Sequence, residues 1–293
     1  MTIHRVQHPP LLRPGEPIEA LVVPVAADGS FERGVSLAAK YAMAWGVSLH
    51  LVHVDDGGAA DLDAAAARFR AAHPDVEATS SVVSADSVAA GVAAACGPRS
   101  LALIATDHAA ERAGMPSLGE QIASAVDDVS LVLGPECVDP VFDGSIVVPL
   151  DGSERAEAAL APAVAFAEAH DARLWLLTVV PPTTVEHVDH LRSTGEEASE
   201  SAYIRSVADR LVADGVAVRW EVVQGSDVTS SLVRFVNSNR VTAVVAASHG
   251  DSGHRRQLYG SVCMGLVERG QAPLLLVASN AVPIELPSGE SGE

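Results

Sequence analysis

Residues 144–182 read GSIVVPLDGSERAEAALAPAVAFAEAHDARLWLLTVVPP, and their rhythm decides the fold. A short apolar run, Ile146–Leu150, comes first. An Ala-rich stretch of helical length follows over 154–169, and a second apolar run fills 173–180. Short apolar runs bounded by turn residues read as strands buried on both faces. A strand, a helix and a strand in succession form a parallel pair joined by a right-handed crossover.

The same rhythm occurs earlier. IEALVVPVAADGSFERGVSLAAKYAMAWGVSLHLVHVDD begins at Ile18, and Pro149 follows Pro24 by 125 residues with no gap in the alignment. Farther along, LALIATDHA matches TAVVAASHG, with His249 following His108 by 141 residues. The second copy therefore holds 16 extra residues (141 − 125), which fall in the polar, turn-rich stretch PPTTVEHVDHLRSTGEEASES. Insertions in such surface segments cost little.

Continued along the chain, the pattern predicts first-copy strands at 21–25, 48–54, 78–83, 101–105 and 129–133. Helices fall at 31–45, 60–72, 86–96 and 119–126. Second-copy strands fall at 146–150, 173–180, 217–223, 241–246 and 273–277, with helices at 154–169, 200–213, 227–237 and 261–269. This alternation implies an α/β fold of two tandem doubly wound, mainly parallel five-stranded sheets, Rossmann-like, with helices on both faces. The predicted divisions are an arm over 1–17, domains over 18–138 and 143–279, and an acidic tail over 280–293. The last strands, 129–133 and 273–277, would be exposed apolar edges unless they pack together as a pseudo-twofold pair.

The net charge of −19 argues against non-specific nucleic-acid binding and against anionic membrane surfaces. Three cysteines without C-x-x-C spacing argue against a disulfide framework or zinc site and fit a reducing cytoplasm. No apolar run reaches bilayer-spanning length, and the first 17 residues lack a signal-peptide core.

In doubly wound sheets, ligands sit beyond the C-terminal strand ends, near the point where the strand order reverses. In the second copy, Asp151 follows the first strand within VPLDGS. It could accept hydrogen bonds from a ligand or begin the next helix. Gly225 follows the third strand in VVQGSDV, either as a plain turn or as a point of close approach. The stretch ASHGDSGHRRQLYGS, 247–261, follows the fourth. It offers glycines, Arg255, Arg256 and a serine at a helix start, where main-chain N–H groups and the helix dipole favour an anion.

These motifs resemble the universal stress protein family, which carries G-x2-G-x9-G-[ST] after the fourth strand and a V-P-x-D-G-S-type turn after the first. Here Ala247-Ser248-His249-Gly250, nine residues and Gly260-Ser261 keep the spacing, and GSVCMGLVERGQAPLLLV continues as the family does. The resemblance spans about residues 18–279 and is to tandem, actinobacterial-type members. It implies an ATP-binding regulatory protein of the stress response, with or without Mg2+, that forms a homodimer and has regulatory protein partners. It places Pro149, Leu150 and Asp151 beside adenine and ribose, Val179 against the base and Gly225 near the adenosine. By the same resemblance Ala247, His249, Gly250, Gly260, Ser261 and Val262 would hold ribose and phosphates, while Arg255 and Arg256, read from the loop itself, either close over the phosphates or are solvated surface arginines. Ala247 departs from the family glycine; its Cβ is harmless only if φ there is negative. A slow ATPase using His249 and Asp151, a scaffold without nucleotide and a cyclic AMP binder are the competing readings.

The first copy differs at the corresponding places. Ala26 stands opposite Asp151, with Asp28 two residues on. Ser84 replaces Gly225, Thr106 stands opposite Ala247, Ala109 opposite Gly250, and Glu120 opposite Ser261. A carboxylate where a phosphate would bind repels it, so the first copy is expected not to take ATP. The HVDH cluster, His187 to His190, reads as a surface loop and not a metal site, and Cys263 as a packed thiol.

Overall fold

The computed structural model describes residues 6, 8–13, 16–25, 32–55, 62–106, 118–126, 129–137, 139–182, 190–248 and 260–278. Strands β1 (Leu11–Arg13) and β2 (Glu16–Pro17) pair antiparallel as a small separate sheet. All other strands join one ten-stranded sheet. In chain order, the first half contributes β3 (Ala20–Pro24), α1 (Glu32–Trp45), β4 (Ser48–Val54), α2 (Leu62–Ala72), β5 (Ala78–Val83) and α3 (Val88–Ala95). It continues with β6 (Ser100–Ala105), α4 (Leu118–Ala125) and β7 (Val129–Leu133). The second half contributes β8 (Ser145–Pro149), α5 (Glu154–Glu157), α6 (Leu160–Ala169), β9 (Leu174–Val180), α7 (His190–Ala213) and β10 (Val218–Gln224). It ends with α8 (Val228–Ser238), β11 (Val241–Ala247), α9 (Ser261–Arg269) and β12 (Leu274–Val277).

The sheet order is β10-β9-β8-β11-β12-β7-β6-β3-β4-β5. Within each half all pairings are parallel, and the strand order of one half repeats in the other. The halves meet through β12 and β7, antiparallel, with Leu275 opposite Leu131 and Val277 opposite Val129. Both strands are buried along their length, so pairing removes the two apolar edges that the sequence would otherwise expose.

Successive side chains on each strand feed opposite cores. Leu21, Val23, Ala243 and Val245 pack toward α1, α2, α6 and α7, while Val22, Val244 and Ala246 pack toward α3, α4, α8 and α9. With both faces covered, the inner strands read as largely apolar runs, which is why they were legible, whereas the edge strands β5 and β10 carry exposed polar residues.

Two helices depart from the sequence reading. The stretch expected as one helix over 154–169 breaks into α5 and α6. Pro162 supplies the reason, because it has no N–H to donate to the carbonyl of Ala158 and its ring crowds that group. Helix α7 begins at His190, ten residues before its expected start, so residues 190–199 of the polar stretch are helical as well.

On the first core face, the halves also join through rings. Trp45 on α1 and His170 at the end of α6 are separated by the repeat offset of 125 residues, and the Trp45 indole N–H donates to His170 Nε2 at 3.1 Å. Tyr41, Phe142 and Phe166 pack around this pair. On the other face, Gly134, just beyond β7, lies directly against the main-chain carbonyl of Val267 in α9, in space that any Cβ would fill.

Candidate functional site

Strands β8 and β11 are neighbours, and the chain leaves them toward opposite sides of the sheet, to α5 and α6 on one and to α9 on the other. Their C-terminal ends therefore flank a switch point, where a doubly wound fold opens a ligand crevice.

The first wall is built by the turn after β8. Pro149 ends the strand, and the buried Leu150 donates its N–H to the carbonyl of Leu177 at 2.8 Å. The Leu150 carbonyl accepts from the Thr178 hydroxyl at 3.1 Å. Asp151 then stands exposed at the strand tip. Its Oδ1 accepts from the Ser153 N–H at 3.0 Å and the Ser153 hydroxyl at 2.6 Å. Ser153, not Asp151, caps α5, accepting from the Ala156 N–H at 3.1 Å. The carboxylate is thus oriented by the cap and not consumed as one.

Behind this turn, Glu157 accepts from the Tyr203 hydroxyl at 3.1 Å and from Arg210 at 2.7 Å, which ties α5 to α7. Burial, and next the Glu157 charge, push the Tyr203 phenol well above its ordinary range, with Asp151 adding to the effect. Tyr203 therefore stays a neutral donor beside two carboxylates.

The second wall comes from β9 and β10. Val179 is half-buried on the face shared with Trp175 and Val223, at the C-terminal end of β9. Gly225 donates to the Val180 carbonyl at 2.9 Å. The space a Cβ would take at Gly225 is filled by the Ser231 hydroxyl of α8, so a larger residue there would displace that side chain. Asp227 caps α8, and hydrogen bonds from Ser230 hold its carboxyl below the usual range.

The floor is the exit of β11. Ala247 is buried, in strand conformation, and packs toward α5 and α6. Asp171 is the one non-glycine residue with positive φ among the described residues, so Ala247 carries no backbone strain. A glycine is not needed there for conformation. Ser248 donates to the Val277 carbonyl at 2.8 Å. Helix α9 then begins with Gly260 as its N-cap, which can offer no side-chain acceptor. By contrast, Ser87, Ser153 and Asp227 cap α3, α5 and α8 through their side chains. The first N–H groups of α9 thus meet no side-chain cap among the described residues, as an anion-accepting helix start requires. Ser261 is exposed on that first turn and Val262 is half-buried beside it. Cys263 is packed, and burial pushes its thiol up to about 12, so the helix dipole does not activate it. His249, Gly250, Arg255 and Arg256 lie outside the described residues.

The structure thus brings Pro149, Leu150, Asp151, Val179, Gly225, Ala247, Gly260, Ser261 and Val262 to the C-terminal rim of the second half's sheet. Sequence reasoning missed Ser153 and Thr178. Thr178 had a signal, being the lone polar residue inside the run LWLLTVV.

The first half presents a different rim. Arg33, in the first turn of α1, donates to the carbonyls of Thr106 at 3.1 Å, Gly134 at 2.5 Å and Cys137 at 2.6 Å. Its guanidinium bridges the ends of β6 and β7, where the ungapped offset of 125 places Ala158 in the second half. Nothing in the sequence pattern announced this. Glu120 lies in the first turn of α4, its side chain outside the described set, as are Ala26, Asp28 and Ala109. Among the described residues no cluster of three or more His, Cys, Asp or Glu could hold a metal ion, and no helix is long and apolar enough to cross a membrane. His187 and Asp189 fall outside them, while His190 opens α7.

A mostly parallel α/β sheet with this strand order defines the Rossmann-like class. Comparison with known proteins makes the assignment narrower. Residues 144–278 match the sequence model of the universal stress protein family. A universal stress protein of Methanocaldococcus jannaschii is 25% identical over 142 residues, which are 45% of this chain and 80% of that protein. The fold is also that of a universal stress protein from Archaeoglobus fulgidus, with a TM-score of 0.61, 16% identity and coverage of 89% of this chain and 98% of the other. A putative universal stress protein from Pseudomonas aeruginosa gives a TM-score of 0.58 at 14% identity, covering 90% and 94%. The second half of the chain, residues 144–278, is thus similar in sequence to the universal stress protein family.

Proposed function

We propose that the second half of this chain, 143–279, is a regulatory module that binds ATP, with or without Mg2+. The observation that carries the reading is the start of α9. Its first N–H groups meet no side-chain cap among the described residues, and it follows β11, the sheet neighbour of the strand β8 that ends at the Asp151 turn. Phosphates would lie against Gly260, Ser261 and Val262, and Asp151 would meet the ribose. The base would rest by Val179 and Leu150. His249, Gly250 and Arg255 belong to the same proposal through the spacing of the sequence.

The first half, 18–138, is proposed to take no ATP. Arg33 is committed to main-chain carbonyls at its rim, and Glu120 stands where Ser261 stands in the other half. Bound nucleotide would act by altering a surface that partner proteins read. Assembly into a homodimer completes the proposal.

The test is Ser261→Glu, which copies the first half, titrated with ATP and magnesium by calorimetry. Placing a carboxylate about 4 Å from a phosphate costs about 1–4 kcal/mol, so binding should weaken from severalfold to beyond detection. Unaltered affinity in a variant that melts like the parent protein would remove α9 from the phosphate site.

A further inference from the structure

The ten-stranded sheet ends at β10, whose outer side faces no other strand among the described residues. Edge strands of this length offer a row of N–H and C=O groups to any extended partner. The ladder to β9 fixes which groups point outward. Leu174 donates to the Ala217 carbonyl and Gly225 donates to the Val180 carbonyl. Because a parallel ladder repeats every two residues, Arg219, Glu221 and Val223 also turn their main chain toward β9. The main-chain groups of Val218, Trp220 and Val222 therefore face outward.

The side chains along this edge are mirrored about Trp220, in the order Val218, Arg219, Trp220, Glu221, Val222. Arg219, Trp220 and Glu221 are all exposed, with Trp220 at 36% despite the Arg205 guanidinium over its ring. Among the described residues neither Arg219 nor Glu221 makes an ion pair. The opposite edge, β5, reads ATSSVV and has neither charge nor mirror order.

We propose that β10 is where two copies of this chain associate, pairing antiparallel about a twofold axis through Trp220. In that register Trp220 faces Trp220 of the second copy and Val218 faces Val222. The outward N–H groups from Val218 to Val222 then find outward carbonyls. Arg219 falls opposite Glu221 twice, at the closely spaced, non-hydrogen-bonded positions where cross-strand charges interact best. A twofold contact must be self-complementary, and this sequence satisfies that condition. Centring on Glu221 sets two carboxylates face to face, and centring on Arg219 sets two guanidinium groups face to face. The two sheets become one continuous sheet. The proposal deepens the homodimer reading by naming its surface.

Sedimentation velocity of the full chain tests it with charge exchange. The parent protein should dimerise. Arg219→Glu and Glu221→Arg should each weaken the dimer about tenfold or more, since both place like charges opposite one another. An equal mixture of the two variants should form mixed dimers, because each then supplies the charges the other lacks. Single variants that dimerise like the parent overturn the surface but leave the homodimer standing. A parent protein that stays monomeric at all concentrations overturns both. Should either charge variant fail to fold, Trp220→Cys decides the matter. Paired residues there would have Cα atoms about 5.5 Å apart, within disulfide reach. The native Cys137 and Cys263 are buried and Cys96 is half-buried, with thiols pushed up to about 11 or 12, so mild oxidation reports on position 220. A covalent dimer supports the surface, and its absence refutes it.

Discussion

Acidification should loosen the joint between the two halves through one side chain, His170. Trp45 donates to its Nε2, so Nε2 must be the acceptor, and Nδ1 donates to the Phe166 carbonyl at 2.7 Å. Both ring nitrogens are therefore used by the neutral tautomer, and protonation would set an N–H against the Trp45 N–H. Burial drives the pKa of His170 down to about 4 from an ordinary 6.5, opposed by the Phe166 bond and assisted by nearby His8. A depressed histidine pKa stabilises the fold above about pH 6.5, where His170 is neutral in both states. That contribution is lost as pH falls through about 4. The full difference corresponds to about 3 kcal/mol, of which about 2 kcal/mol is gone by about pH 5.

Urea unfolding of the parent protein and of His170→Gln, at about pH 7 and about pH 5, isolates this share from the carboxylates that titrate lower. Glutamine does not titrate, so the destabilisation it causes at neutral pH should shrink by about 2 kcal/mol in acid. An equal gap at both pH values would refute the assignment of a neutral His170 at the joint.

Two local predictions follow from packing and capping. Gly134→Ala sets a Cβ against the Val267 main-chain carbonyl, which cannot swing aside as a side chain would. It should cost about 1–3 kcal/mol in chemical denaturation, and a neutral effect would show that α9 and β7 are not so closely joined. Ser153→Ala removes the α5 cap and the partner of Asp151, and should cost about 1 kcal/mol of stability while weakening ATP binding. Lost stability with unchanged affinity would separate Asp151 from the ligand.

Much of the architecture was legible because burial on both faces writes the inner strands as apolar runs. The runs at 129–133 and 273–277 pointed even to the β7–β12 seam, since pairing them covers both apolar edges at once. Helix ends were less legible where one residue overrode the pattern. Pro162 splits an Ala-rich stretch whose composition alone favours one helix, and the polar insertion hides the first turns of α7. In the candidate site, the residues found by spacing were those that the strand ends themselves present. Ser153, Thr178 and Arg33 escaped notice because their roles depend on carbonyls and carboxylates brought close only by folding. Gly225 shows the converse. Its glycine read either as a turn or as a close approach to a ligand, and the fold adds a packing reason, since a Cβ there would meet the Ser231 side chain.

The central claim is that one half of this chain holds a nucleotide and the other does not. The most direct measurement is the amount and mass of ligand released when the freshly purified protein, saturated with ATP and magnesium, is denatured. The account predicts one adenine nucleotide per chain, lost in Ser261→Glu. Two per chain would contradict the reading of Arg33 and Glu120, and none would contradict the site at α9 itself.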